Sequence, residues 1–142
     1  MFDTGKMKKK VEEVKKSSLI KKNEKILIAF SGGPDSVFLY NLLFYLKEYY
    51  SIEISLIYVN HNLREDVEND LNFVEEFSKE NNVPLYIESV DVKKYAAENK
   101  KSIELAAREL RYEAIEKVLQ NLNYDKIATG HNLDDNIETF IF

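Results

Sequence analysis

A six-residue loop, Ser31-Gly32-Gly33-Pro34-Asp35-Ser36, has the composition of an anion-binding turn between a strand and a helix. Its two glycines let the backbone approach a ligand and can point successive amides into one concavity, which the positive end of the following helix reinforces. The hydroxyls of Ser31 and Ser36 can donate to phosphate oxygens, whereas Asp35 repels a phosphate unless it holds a cation. The loop therefore predicts a phosphate site with a metal at Asp35. The alternative is an ordinary strand-to-helix turn.

Two further polar clusters also follow predicted strands. Asn60-His61-Asn62-Leu63-Arg64 comes after the second strand, and Gly130-His131-Asn132-Leu133-Asp134-Asp135 comes after the fourth. Ligands of open parallel sheets bind beyond the carboxyl ends of the strands, near the point where strand order reverses. We therefore expect the three clusters to meet at one edge of the sheet. Each histidine is either a ligand contact or a structural residue, and Arg64 either binds phosphate or pairs with Glu65 or Asp66.

Charged residues at helical spacing form two candidate groups. Glu104, Arg108 and Arg111 are four and three residues apart, so they share one face of a helix. This face is either a salt-bridge ladder or a nucleotide contact, in which the planar guanidinium of Arg111 could stabilise phosphate charge. Asp135 and Glu138 are three residues apart in a predicted helix. They could bind Mg²⁺, hold an ammonium group, or simply favour a helix start.

Alternating strands and helices must position these groups. Short apolar runs predict strands at residues 25–30, 52–59, 85–90 and 126–129. Helical spacing predicts a leading helix at residues 11–20, a helix after each strand, a Ser102 cap, and a last helix from Leu133. The alternation predicts an α/β fold, a Rossmann-like doubly wound parallel sheet with helices on both faces. We expect residues 1–24 to be a helical extension and residues 25–142 the α/β domain, truncated at its carboxyl end.

Composition narrows the class of protein. The chain has 142 residues, of which 44% are hydrophobic and 32% charged, as in one globular domain. No apolar run reaches the ~18 residues of a membrane span, and no signal sequence is recognisable. Without cysteine the chain has no disulfide, so a cytoplasmic location and no membrane association are predicted. The net charge of −5 opposes nucleic-acid binding, and the lysines of residues 6–22 are interpreted as a solvated helix face.

The loop after the first strand is neither a Gly-x4-Gly-Lys-Ser/Thr nor a Gly-x-Gly-x-x-Gly motif. It resembles the Ser-Gly-Gly-x-Asp-Ser loop of the ATP-pyrophosphatase (PP-loop) family, and the resemblance runs from about Lys25 to Phe142. This resemblance implies an adenine nucleotide alpha hydrolase-like fold that uses ATP and Mg²⁺. Members of the family cleave ATP between its α and β phosphates, adenylate an oxygen, and let a nitrogen or sulfur nucleophile expel AMP.

Three segments resemble the tRNA(Ile)-lysidine synthetase branch of this family. Asn60–Arg64 is similar to its His-x-Leu-Arg segment, and Glu104–Tyr112 is similar to its Glu-x-x-x-Arg-x-x-Arg-Tyr helix. Gly130–Thr139 resembles its His-His-x-x-Asp segment that ends in Glu-Thr, although Asn132 replaces the frequent second histidine. This departure weakens any role for position 132.

The resemblance implies a catalytic role for four residues: Asp35, Arg111, Asp135 and Glu138. It also implies that ATP is bound by residues 31–36 with His61 and Arg108, and that Mg²⁺ is bound at Asp35. The implied partners are tRNA(Ile) with a CAU anticodon and free L-lysine, which Asp135 and Glu138 would recognise. Two alternatives remain open, a tRNA 2-thiolation enzyme, whose relatives generally use cysteines, and a non-catalytic ATP-binding module. A homodimer is compatible with the sequence.

Overall fold

A computed structural model of the chain describes residues 4–62, 67–131 and 136–141, in which helices and strands alternate. The helices are α1 (Thr4–Ser17), α2 (Pro34–Tyr50), α3 (Val67–Asn81), α4 (Val92–Asn99) and α5 (Ile103–Asn121). The strands are β1 (Lys25–Ala29), β2 (Glu53–Asn60), β3 (Leu85–Ser89), β4 (Lys126–His131) and β5 (Asn136–Ile141).

The strands form one sheet in the order β3-β2-β1-β4-β5. The first four strands are parallel, and β5 pairs antiparallel with β4. From β1 the chain moves outward to β3 on one side and then returns to place β4 on the other side of β1. This doubly wound parallel sheet confirms the predicted fold class. Its strand order reverses between β1 and β4, where open sheets of this kind bind ligands.

Apolar side chains cover both faces of the sheet, as buried parallel strands require. Ile26 and Ile28 face one side of β1 and, together with Phe30 directly after the strand, pack in one core cluster with residues of α1, α2 and α3. Leu27 faces the other side and packs with Ile115 of α5. The strict alternation along β1 assigns three helices to one face of the sheet and α5 to the other.

Side-chain caps begin the two helices that precede β4. The Ser102 hydroxyl accepts the N–H of Leu105 at 3.1 Å, which confirms the predicted cap of α5. Asp91 caps α4 in the same way by accepting the N–H of Lys94 at 3.1 Å. No helix among the described residues is both long and apolar enough to cross a membrane.

The segment before β1 is attached to the sheet by apolar packing and by one buried ion pair. Met7 and Val11 of α1 belong to the same core cluster as β1. Lys126 of β4 is 2% exposed, and its ammonium donates to the Glu24 carboxylate at 2.7 Å and to the Leu19 carbonyl. A buried ammonium requires such partners. α1 therefore packs as part of this core, and the division at residue 24 stays a prediction.

The helix predicted from Leu133 is wrong where the structure describes it, because Asn136–Ile141 form the strand β5. Four of these six residues are β-branched or aromatic, a composition that favours strands. Pairing with β4 places Glu138 opposite Thr129 in the register. Glu138 therefore lies in a strand and not in the helix that was predicted to place it beside Asp135. Asp135 lies outside the described residues.

Candidate functional site

A cavity of about 620 Å³ lies at the carboxyl ends of β1 and β2. Its size is that of a site for a small-molecule ligand. The loop after β1, the segment after β2 and the middle of α5 form part of its wall. Seven of the predicted site residues line it: Ser31, Gly33, Pro34, Asp35, Ser36, His61 and Arg111. The fold therefore brings together residues that are distant in the sequence. Of the three polar clusters predicted to meet at one edge of the sheet, the first two do so.

The Ser31–Ser36 loop is held in shape by its own side chains. The N–H of Gly32 donates to the Ser36 hydroxyl at 3.1 Å, and this hydroxyl donates to the Gly33 carbonyl at 3.0 Å. The N–H of Gly33 donates to the Ser31 hydroxyl oxygen at 3.3 Å. A hydroxyl has a single hydrogen, and that of Ser36 is donated to the Gly33 carbonyl. Ser36 could donate to a phosphate only by giving up this hydrogen bond within the loop.

Gly32 is required by both backbone conformation and space. Its φ is +89°, in a region that residues with a β-carbon rarely adopt. A β-carbon at this position would lie 3.1 Å from Cδ2 of Phe73 and 3.4 Å from Cγ2 of Val74. The loop therefore passes directly over α3, and a methyl group here would require the Phe73 ring to shift by a few tenths of an ångström.

We expect Gly32→Ala to lower the free energy of unfolding by about 1–3 kcal/mol, because it adds backbone strain and a short contact. Urea unfolding followed by circular dichroism measures this change. Gly33→Ala is the matched control, since the φ of Gly33 is −80° and its added methyl would meet only the Ser31 hydroxyl at 3.5 Å. We expect Gly33→Ala to cost less than about 1 kcal/mol. Equal losses in the two variants would contradict this account of the loop.

The amino-terminal end of α2, which carries the positive end of the helix dipole, lies at the cavity wall. Gly33 occupies the cap position without a side-chain hydrogen bond, and Pro34 follows in the first turn. The helix dipole thus contributes positive potential beside the loop. Asp35 lies in the same first turn and lines the cavity.

The residues around Asp35 fit a Mg²⁺ ion that is shared with a phosphate ligand better than a metal ion whose ligands all come from the protein. Among the described residues no group of three or more His, Cys, Asp or Glu side chains could hold a metal ion. Mg²⁺ usually keeps several waters and binds one or two carboxylates together with substrate phosphates. One carboxylate beside a loop that is predicted to bind phosphate meets this requirement, so Asp35 would be the residue that holds the ion.

α5 brings one of its two arginines to the cavity. Arg111 is half-buried and lines the wall with Ile115, and it has no carboxylate partner among the described residues. The guanidinium of Arg108 is exposed and lies 5.8 Å from the centroid of the Tyr112 ring, outside the lining. Glu104 is exposed and pairs with neither arginine within the described part of the chain. The structure thus separates Arg111 from the ladder that the spacing allowed.

His61 lines the cavity and carries a buried imidazole nitrogen, Nε2, without a hydrogen-bond partner in the described structure. Burial lowers the pKa of His61 below its ordinary value of 6.5, and the positive charge of Arg111 lowers it further. The neutral imidazole is therefore the form present near pH 7. The adjacent turn is fixed by Asn62, whose backbone N–H donates to the side-chain Oδ1 of Asn60 and whose side-chain amide donates to the Val90 carbonyl, both at 2.9 Å.

We expect the His61 imidazole to titrate below pH 6.5 in an NMR experiment, because the charged form is disfavoured in the folded chain. Arg111→Gln should move the midpoint upward, since it removes the second cause. The lowered pKa also implies that folding stability falls as the pH drops below 6.5 toward the folded midpoint, where the unfolded chain binds more protons. His131→Asn identifies the His61 signal, because the chain has two histidines. An unchanged midpoint in Arg111→Gln would refute the coupling.

Two residues of this region were missed in the sequence. Asp70 of α3 lines the cavity, although α3 was recognised only by its apolar stripe. Thr129 near the end of β4 is 2% exposed, and its hydroxyl has no hydrogen-bond partner in the described structure. The position of Thr129 directly before the third polar cluster could have indicated it. Arg64 and Asn132, like Asp135, lie outside the described residues.

Comparison with known proteins identifies the family of the chain. Residues 4–142 match a family model described as the PP-loop domain. The chain is 40% identical over 136 residues to a tRNA(Ile)-lysidine synthase of Thermosipho africanus, covering 96% of this chain and 32% of that protein. It is 43% identical over 135 residues to a tRNA(Ile)-lysidine synthase of Persephonella marina, covering 94% of this chain and 30% of that protein. The chain thus spans about a third of the length of these curated relatives.

A solved structure extends the likeness to the fold. The U34-tRNA thiolase NcsA from Methanococcus maripaludis, determined with its 4Fe–4S cluster, has a TM-score of 0.73 to this chain at 23% identity. The alignment covers 92% of this chain and 46% of the thiolase, and it bears on the fold alone. The Ser31–Ser36 loop, the doubly wound sheet behind it and the family model over nearly the whole length lead to one conclusion: the chain belongs to the PP-loop domain family.

Proposed function

We propose that this chain is the ATP-binding catalytic part of a tRNA(Ile)-lysidine synthase. The observation that carries the proposal is the cavity beyond β1 and β2, where the Ser31–Ser36 loop and Arg111 face one space. The names of the relatives at about 40% identity support the choice of reaction. In this proposal, lysine is ligated to C2 of the wobble cytidine of tRNA(Ile) with a CAU anticodon.

The proposed binding mode places the phosphates of ATP on the loop. Backbone amides of the loop and the start of α2 would receive the phosphate oxygens, with Mg²⁺ held at Asp35 to neutralise their charge. Arg111 would contact the separating phosphates, because it lines the cavity without a carboxylate partner among the described residues. His61 would offer Nε2 to the nucleotide or to the reacting base. Phosphoryl chemistry consists mostly of positioning and charge neutralisation, so it needs no nucleophilic side chain.

The proposed reaction has two steps. O2 of the cytidine attacks the α-phosphorus of ATP, the bond from that phosphorus to the bridging oxygen breaks, and pyrophosphate leaves. The lysine ε-amine then attacks C2, the C2–O bond to the adenylate breaks, the amine loses a proton, and AMP leaves. We retain Asp135 and Glu138 as the candidate partners of the lysine ammonium group.

Neither alternative has comparable support. A 2-thiolation enzyme would share the adenylation step, but its relatives generally use cysteines, and this chain has none. The likeness to a tRNA thiolase concerns the fold. A module that merely binds ATP would not need an arginine beside the phosphates in addition to the loop.

Lysine incorporation tests the proposal. The protein that contains this chain is incubated with an unmodified tRNA(Ile) transcript, ATP, Mg²⁺ and radiolabelled lysine, and the label in precipitated tRNA is counted. We expect label that depends on ATP, and none in a matched transcript with uridine in place of the wobble cytidine. A preparation that cleaves ATP in the presence of tRNA but incorporates no lysine would exclude the proposed reaction.

A further inference from the structure

The amino-terminal region is basic on an otherwise acidic chain. Residues 1–25 contain nine lysines and four carboxylates, whereas the remaining residues contain eleven Lys or Arg and 21 Asp or Glu. The two parts carry net charges of +5 and −10, so the total of −5 conceals a segregated basic region. The negative total charge therefore does not oppose a nucleic-acid partner at this region.

The described lysines of α1 differ in burial. Lys10 is 6% exposed and pairs with Glu13 at 3.4 Å, on the side of the helix that carries the buried Met7 and Val11. Among the α1 lysines whose side chains the structure describes, the exposed ones are Lys8, Lys9, Lys15 and Lys16. Because Glu13 pairs with Lys10, Glu12 is the remaining carboxylate of α1 that could offset these four cations.

Neighbouring carboxylates do not neutralise three of these lysines. The interleaved acids allowed i,i+4 pairs of Lys8 with Glu12 and of Lys16 with Glu12. Within the described part of the chain, however, Lys8, Lys9 and Lys16 have no carboxylate partner. Unpaired ammonium groups at the surface are available to an anionic ligand.

Two exposed aromatic rings lie on the adjacent helix. Tyr45 is 67% exposed and Tyr49 is 58% exposed, and they are one turn apart on α2. The Lys15 ammonium lies 4.3 Å from the centroid of the Tyr49 ring, so the exposed sides of α1 and α2 meet at this pair. Cations bordered by flat, exposed rings are the combination with which proteins hold nucleic-acid strands.

We infer that this surface, the α1–α2 basic face, binds the phosphate backbone of the tRNA substrate outside the reacting nucleotide. It consists of Lys8, Lys9, Lys15, Lys16, Tyr45 and Tyr49. The inference rests on the proposed function, which makes the substrate an RNA. Lys8 and Lys15 are seven residues apart, about 10 Å along the helix, and can contact separate phosphates. Such contacts supply affinity and orientation, while the reacting base is selected elsewhere.

An anionic membrane is a poorer partner for the same lysines. Helices that lie on membranes bury an apolar face among the lipid chains. The apolar side of α1, including Met7, Val11 and Val14, is already buried in the core of this domain. No second apolar face of α1 is left to insert, which favours RNA.

Salt-dependent tRNA binding tests this inference. The variant replaces Lys8, Lys9, Lys15 and Lys16 with glutamine in the protein that contains this chain. The matched control replaces four exposed lysines elsewhere, Lys79, Lys93, Lys94 and Lys100, with the same change in net charge. Each lost phosphate contact reduces the slope of log K against log salt by roughly 0.7–1, so we expect a reduction of about 3 and at least about tenfold weaker binding. The control should keep the wild-type slope.

The outcomes separate this inference from the proposed function. If the wild-type protein binds no tRNA at any salt concentration, both fail. If it binds tRNA and the four-lysine variant keeps the wild-type slope, the basic face is refuted and the proposed function stands. A variant that loses affinity for vesicles with anionic lipids, but not for tRNA, also refutes it. Circular dichroism establishes that the variant is folded, and Tyr45→Ala, which leaves every charge in place, should weaken tRNA binding without altering the slope.

Discussion

Asp35→Asn is expected to reduce AMP release by roughly 10³-fold, the factor that corresponds to several kcal/mol of lost transition-state stabilisation. The side chain keeps its size but loses the charge that would hold Mg²⁺ beside the phosphates. Because Asp35 lies in the first turn of α2 at the cavity wall, the change acts where the phosphates are proposed to bind. Single-turnover measurement of AMP at saturating ATP gives the rate.

A matched variant controls for the removal of a carboxylate from α2. Glu48→Gln makes the same chemical change on the same helix, at an exposed position outside the cavity lining. We expect Glu48→Gln to release AMP at the wild-type rate. Titration of ATP binding at several Mg²⁺ concentrations adds a readout that does not depend on turnover, and Asp35→Asn should weaken the effect of Mg²⁺ on binding. An Asp35→Asn protein with normal AMP release would remove Asp35 from the mechanism.

Arg111→Gln is expected to lower kcat by about 10²–10³-fold, with a smaller change in the KM for ATP. Charge on the separating phosphates is larger in the transition state than in bound ATP, so a guanidinium that contacts them acts mainly on kcat. Arg111→Lys should restore only part of the rate, because an ammonium lacks the planar fork that matches two phosphate oxygens.

A second cation of α5 provides the control for Arg111. Lys117 is exposed and pairs with Glu88 at 3.0 Å, outside the cavity lining. Lys117→Gln should therefore leave kcat and KM unchanged within error, since surface ion pairs contribute little to stability. If Arg111→Gln raised the KM for ATP and left kcat intact, the arginine would contribute to ground-state binding and not to the chemical step.

The parallel sheet could be predicted because its signals are local. β1 is a short, continuous apolar run that ends at the Ser31–Ser36 loop, and Ser102 can cap a helix whatever the tertiary structure around it. The last segment lacked such a signal. Ile137, Phe140 and Ile141 fit the helical spacing of three and four residues, while their β propensity favours a strand. Pairing with the neighbouring strand β4, which lies outside the segment itself, decided between the two.

The site, too, has features that local sequence signals predict and features that depend on tertiary packing. The chemistry of the loop follows from its glycines and hydroxyls, so the sequence alone identified it. Arg108 and Arg111 share a helix face by spacing, and the way α5 packs on the sheet brings Arg111 alone to the cavity lining. The unpartnered Nε2 of His61 depends on burial by surrounding elements, which no local pattern encodes. Likewise, total charge could not show that Lys8, Lys9 and Lys16 have no carboxylate partner among the described residues.

The products of ATP cleavage test most directly whether this cavity activates ATP at its α-phosphate. The protein that contains this chain is incubated with ATP labelled at the α-phosphate, Mg²⁺, lysine and unmodified tRNA(Ile), and the products are separated by thin-layer chromatography. We predict labelled AMP, formed in equal amounts with pyrophosphate and only in the presence of the tRNA. Labelled ADP as the main product would place the cleaved bond between the β and γ phosphates and would contradict the account.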